Sequence, residues 1–156
     1  MGIFETITGL PLHPLVIHAV VVLVPLLVLA GIVYALVPRL RGRTGWVAVL
    51  LALAGVGSTL LAKLSGDAFR RRIVRKHMAN QEILVKIDSH RSLGTTTLYL
   101  TIALAVVVLL LVVLLRTLPR GASMALSVIT VVLGLVTVYY VYRTGDAGAR
   151  IVWTGY

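Results

Sequence analysis

His13-Pro14-Leu15-Val16-Ile17-His18 opens an apolar run that passes through Pro25 and meets no charged residue before Arg39. A charge-free stretch of this length matches the roughly 20 residues needed to cross a bilayer as a helix. Proline suits the first turn of a helix, so the span is expected over residues 14–37, with Pro38 ending it. Pro25 lies mid-span, where its missing N–H leaves the Val21 carbonyl without its helical donor and invites a bend.

Working outward, three further apolar runs fall over residues 46–64, 93–115 and 122–142. The whole chain is 59% hydrophobic over 156 residues, well above the usage of water-soluble domains. Its mean hydropathy is +1.02. The expected fold class is therefore all-α, an integral membrane four-helix bundle forming one transmembrane domain over residues 1–156. No internal repeat and no second domain stands out in the letters. In the second run Ala54, Ser58 and Ala62, with Gly55 and Gly57, form the small-residue stripe that lets helices approach closely in lipid.

The polar segments are few. Residues 1–12 place apolar side chains at 3, 4, 7 and 10, a spacing that predicts a short helix lying on the membrane surface. Gly2 and Thr6 fit the myristoylation pattern, which is too short to carry weight, and no cleavable signal is apparent. In the polar loop, residues 65–92, Gly66 and Asp67 are expected to interrupt the second helix. Phe69, Ile73 and His77 then recur among Arg70, Arg71, Arg72, Arg75 and Lys76, which predicts a basic amphipathic helix on anionic headgroups between spans two and three. Ile83, Ile87, His90, Gly94 and Leu98 share one helical face, so the third helix should begin before the membrane and carry His90 inward. Tyr139, Tyr140 and Tyr142 mark an interface, and Gly145 to Gly148 predicts a turn in the tail, residues 143–156.

With four spans, both termini and the polar loop share one side. That side holds ten of the fifteen basic residues, all four histidines and all five acids. The raw count places it in the cytoplasm, but the first helix has three arginines on its trailing flank and none on its leading flank, which favours termini outside. The net charge of +10, with only 6% aromatic residues, speaks for topology and lipid rather than nucleic acid. With no cysteine, any ligand set must come from histidine, methionine, tyrosine or carboxylate.

His18 has a bland reading as an interfacial histidine bonded to nearby backbone. Its sharper reading is an axial ligand of haem b opposite His90, with Gly94 leaving room for the ring and Arg91 and Arg143 meeting the propionates. His13 and His18 lie about 140° apart around a helix, so they do not chelate one ion as an i, i+4 pair would. His13 then reads as a cap at the surface. A metal site drawn from His13, His18, His90 and Asp146 is the alternative. No ionisable group sits deep in a span, which speaks against a pump or transporter, and no complete catalytic set is visible.

Gly9-Leu-Pro-Leu-His-Pro-Leu-Val-Ile-His18, Gly66-Asp67-Ala68, His90 with Leu93-Gly94, and Gly145 to Trp153 resemble the bacterial membrane proteins catalogued as domain of unknown function two-two-three-one, in particular an actinobacterial branch. The resemblance implies four spans in a bacterial cytoplasmic (inner) membrane and no named activity. The expectation is a non-enzymatic accessory subunit of a larger, respiratory-type membrane complex, in contact with anionic lipid and other membrane subunits and not with nucleic acid.

Overall fold

The computed structural model describes Phe4 and residues 6–153. Two short strands, β1 (Thr6–Ile7) and β2 (Leu10–Pro11), form a minute antiparallel hairpin that pairs Ile7 with Leu10. Thr8 and Gly9 turn it with φ of 49° and 85°, the two left-handed positions that a tight hairpin turn requires. Four helices follow, α1 (Leu12–Leu36), α2 (Arg41–Arg75), α3 (Gln81–Leu114) and α4 (Arg120–Trp153), each long and apolar enough to cross a membrane. A 3₁₀ turn, Pro38–Leu40, joins the first two.

The helix ends show why the chain turns where it does. Arg41 Nε donates to the Tyr34 carbonyl at 3.0 Å and its Nη2 to the Ala35 carbonyl at 2.9 Å, which satisfies acceptors that the end of α1 leaves open. Asn80 caps α3 by accepting from the Ile83 N–H at 2.9 Å.

Each helix packs on its sequence neighbours and α4 closes against α1, leaving α1 and α3 diagonally opposed. The core runs along the axis: Val24, Leu27, Leu104, Val108 and Leu111 are fully buried, together with Thr101, Thr130 and Thr137. Each of these threonine hydroxyls donates to the carbonyl four residues back in its own helix, which makes it harmless in an apolar interior.

The packing reveals a repeat that the letters conceal. Matching residue n of α1 to residue n + 77 of α3 carries His13 onto His90. It also carries the buried Val24, Leu27, Val28, Gly31 and Tyr34 onto the buried Thr101, Leu104, Ala105, Val108 and Leu111. Matching residue n of α2 to residue n + 82 of α4 carries Gly66 onto Gly148, and Ala48, Ala52, Gly55 and Thr59 onto Thr130, Gly134, Thr137 and Val141, every buried residue of α4. The hairpins α1–α2 and α3–α4 are thus two renderings of one unit, related by a pseudo-two-fold axis along the bundle, the parallel kind of repeat found in membrane proteins. Equivalent residues meet on such an axis, and Gly31 does meet Val108: a Cβ on Gly31 would lie 2.9 Å from a Val108 methyl.

Four expectations are corrected here. The described part of residues 1–12 is a hairpin rather than a surface helix, and Met1 to Ile3 and Glu5, including the Gly2 pattern, lie outside the described residues. Gly66 and Asp67 do not interrupt α2, so the basic stretch Arg70 to Arg75 is its final turns and not a separate helix. No turn forms at Gly145 to Gly148, through which α4 runs unbroken. The unseen repeat is the fourth. A glycine in a helix interior lowers stability by about 1 kcal/mol relative to alanine, too little to break a long packed helix when a neighbour fills the space it leaves.

Candidate functional site

Two of those glycines carry the site. His13, at the start of α1, lies against Gly66 of α2, where a Cβ would be 3.1 Å from the ring. His90, in α3, lies in the same way against Gly148 of α4, with a corresponding distance of 3.0 Å. The carbonyl one turn before each glycine holds the ring: His13 Nδ1 bonds to the Ala62 carbonyl at 3.0 Å, and His90 Nδ1 to the Thr144 carbonyl at 3.0 Å. Ser65 Oγ lies 3.3 Å from His13 Nδ1 as a second contact. Ala62 and Thr144, like Gly66 and Gly148, correspond under the repeat.

A carbonyl oxygen can only accept, so Nδ1 carries the proton in both rings and the lone pair of the neutral imidazole is on Nε2. Neither Nε2 has a hydrogen-bond partner among the described residues. The two half-buried rings sit edge to face, their centroids 6.1 Å apart and their planes at 73°. The pair therefore lies on the pseudo-two-fold axis near one end of the bundle, one histidine from each hairpin.

Beside it an ionic chain ties α2 to α3. Asp67, next after Gly66, accepts from Lys63 and from Arg91, whose Nε and Nη2 approach at 2.9 and 2.7 Å. Arg91 Nη1 reaches Asp88 at 3.1 Å, and Asp88 takes the Arg70 fork at 2.5 and 2.6 Å. These groups are partly exposed, the regime in which single pairs add little but a connected chain fixes geometry.

The structure rearranges the expected ligand sets. His90 points inward as expected, but its partner is His13 and not His18. From His13 to the buried Gly31 is eighteen residues, five full turns, whereas His18 stands about 120° away from the buried Val24. His18 is exposed and bonds its own helix, Nδ1 to the Pro14 carbonyl at 2.7 Å, which is the bland reading. Gly94 faces Thr144 of α4, so no slot for a flat ring opens there. Arg91 is committed to the ionic chain, and exposed Arg143 donates to the Tyr139 hydroxyl at 2.8 Å and lies over its ring. Asp146 pairs with Arg150 on α4. His77 is exposed at the end of α2. No group of three or more His, Cys, Asp or Glu residues able to hold an ion occurs among the described residues.

Sequence reasoning missed the two glycine cradles. The available signal was Gly31, a small residue in register with His13 that marks which face of a uniformly apolar helix is packed.

The fold and the site define a class: a polytopic four-helix membrane protein with a histidine pair on its pseudo-symmetry axis. The chain matches, over residues 9–155, the family described as Predicted membrane protein (DUF2231), and it belongs to that family. Comparison with curated proteins and with solved structures finds no match.

Proposed function

We propose that this is a metal-binding membrane protein whose ion is held by His13 and His90, at the outer edge of a bacterial cytoplasmic membrane and within a larger membrane assembly. One observation carries the reading: both imidazoles have Nδ1 tied to a helix carbonyl and Nε2 left without a partner, in rings 6.1 Å apart. A hydrogen bond on the far nitrogen is the outer-shell support that orients metal-ligating histidines.

The test is elemental analysis of the full chain purified after growth with added transition metals, beside the His13→Ala/His90→Ala double variant. The parent should carry about one ion per chain by the one-site geometry, and the variant none. Equal contents would end the proposal. The haem reading loses its His18 partner, which is exposed and bonded to its own helix; a Soret band that appears after haem-replete expression and is lost in the double variant would assign the pair to haem iron and overturn the proposal. The basic end of α2, Arg71, Arg72, Arg75 and Lys76, adds affinity for anionic headgroups of about 1 kcal/mol per side chain at the surface, and Arg70, whose fork Asp88 holds, adds less. A reporter at the C-terminus should be active only in its extracytoplasmic form.

A further inference from the structure

We infer that the ion held by this pair is monovalent and two-coordinate, of the Cu(I) class, with one ligand from each hairpin; the inference rests on the metal reading above.

Spacing is the first argument. An ion bonded to both Nε2 atoms at about 2.0 Å sets the ring centroids roughly 6.3 Å apart in a straight N–metal–N line and roughly 5.2 Å apart at a tetrahedral angle. The 6.1 Å found leaves room for one ion between the rings once both Nε2 atoms turn toward it. Zinc and the other divalent ions of the first row seek four or more ligands, and no third His, Cys, Asp or Glu joins the pair among the described residues. A filled-shell monovalent ion is satisfied by two nitrogen donors in line.

Charge is the second argument. Both ligands are neutral imidazoles, so the bound ion keeps its full charge in a half-buried place. The penalty for taking an ion out of water grows with the square of its charge, so a divalent ion meets about four times the penalty of a monovalent one. The nearby carboxylates give little relief. Asp67 is already shared by Lys63 and Arg91, and Asp88 by Arg91 and Arg70, a chain of three cations and two anions. A neutral pair beside a net positive chain favours the smallest ionic charge.

Symmetry is the third. The two rings occupy equivalent positions with equivalent carbonyl and glycine supports, so the hairpins offer the ion like donors from opposite sides of the axis. A two-fold axis passing between two like donors makes them equivalent and supplies them in pairs, so an ion satisfied by two donors is complete at this site.

The experiment is an anaerobic titration of the full chain in detergent with Cu(I), held against a chromogenic Cu(I) chelator, and with Zn(II) in parallel. The expected result is one Cu(I) retained per chain under conditions that strip Zn(II), lost in His13→Ala and in His90→Ala and kept in His18→Ala. X-ray absorption of the copper-loaded parent, which needs no variant, should show two short nitrogen neighbours and no further shell of donors. Zn(II) retained in preference to Cu(I), with the same dependence on His13 and His90, would overturn the inference and leave the metal reading standing. Three or four donors around copper would do the same. No metal retained through either histidine would overturn both.

Discussion

The two seams that join the hairpins are equivalent by the pseudo-two-fold yet built differently. The α2–α3 seam is laced at the histidine end of the bundle by Lys63, Asp67, Arg91, Asp88 and Arg70. Among the described residues no ion pair crosses the α1–α4 seam, which carries a shallow groove lined by Val21, Pro25, Val138, Tyr142 and Asp146. Pro25, which withholds an N–H from the Val21 carbonyl, lies in that groove. A shared backbone plan therefore fixes which surfaces meet, and side-chain chemistry decides how firmly. One seam is held by fit and charge together. The other is held by fit.

The largest effect should come from attacking fit alone. Gly134→Leu in α4 would place its Cβ 2.9 Å from a Val28 methyl of α1, whereas Gly57 faces open space. Overpacking of this kind lowers stability by about 1–3 kcal/mol, so unfolding titration in detergent should show that loss for Gly134→Leu and almost none for Gly57→Leu. Equal losses would mean that the α1–α4 seam is not set by close approach.

Next come the cradles. Gly66→Ala and Gly148→Ala each press a methyl on an imidazole, and both should weaken metal retention by about 10–100-fold, the range for disturbed outer-shell support. Because the supports correspond, the two losses should be alike. A loss confined to one side would break the symmetry argument.

A smaller effect tests the laced seam. Asp67→Asn leaves Lys63 and Arg91 without their shared carboxylate and should lower stability by about 1 kcal/mol, discounted for partial exposure. The difference from the parent should shrink as salt is raised. The smallest effect is at His18, exposed and bonded only to its own helix, where His18→Ala should stay within about 0.5 kcal/mol of the parent.

Fold class was legible because it depends on the length of apolar runs, which lipid enforces residue by residue. The start of α3 at Gln81, well ahead of its apolar run, and the inward turn of His90 were legible for a similar reason: polar residues around Ile83, Ile87 and His90 give that stretch a visible face. Around α1 every face is aliphatic, so the pattern could not say whether His13 or His18 looked inward, and the choice made from the motif alone favoured the wrong ring. The glycines misled in a related way. Gly66, Gly145 and Gly148 read as breakers by the rules of water-soluble loops. In α2 and α4 they lie in continuous helix, and Gly66 and Gly148 are the places where another chain segment comes close. The repeat stayed hidden because it preserves buried positions rather than letters or sizes: Gly55 answers to Thr137, and Val24 to Thr101.

Gly31 opposite Val108 is the detail with the widest reach. An assembly of two identical hairpins would have to set glycine against glycine there, leaving a void, or valine against valine, which would not fit. Concatenation into one polypeptide removes that obligation. Each half can then carry the complement of the other, a hollow against a knob, an aspartate against an arginine, and a tandem chain can specify its own pairing where loose copies could only tolerate it.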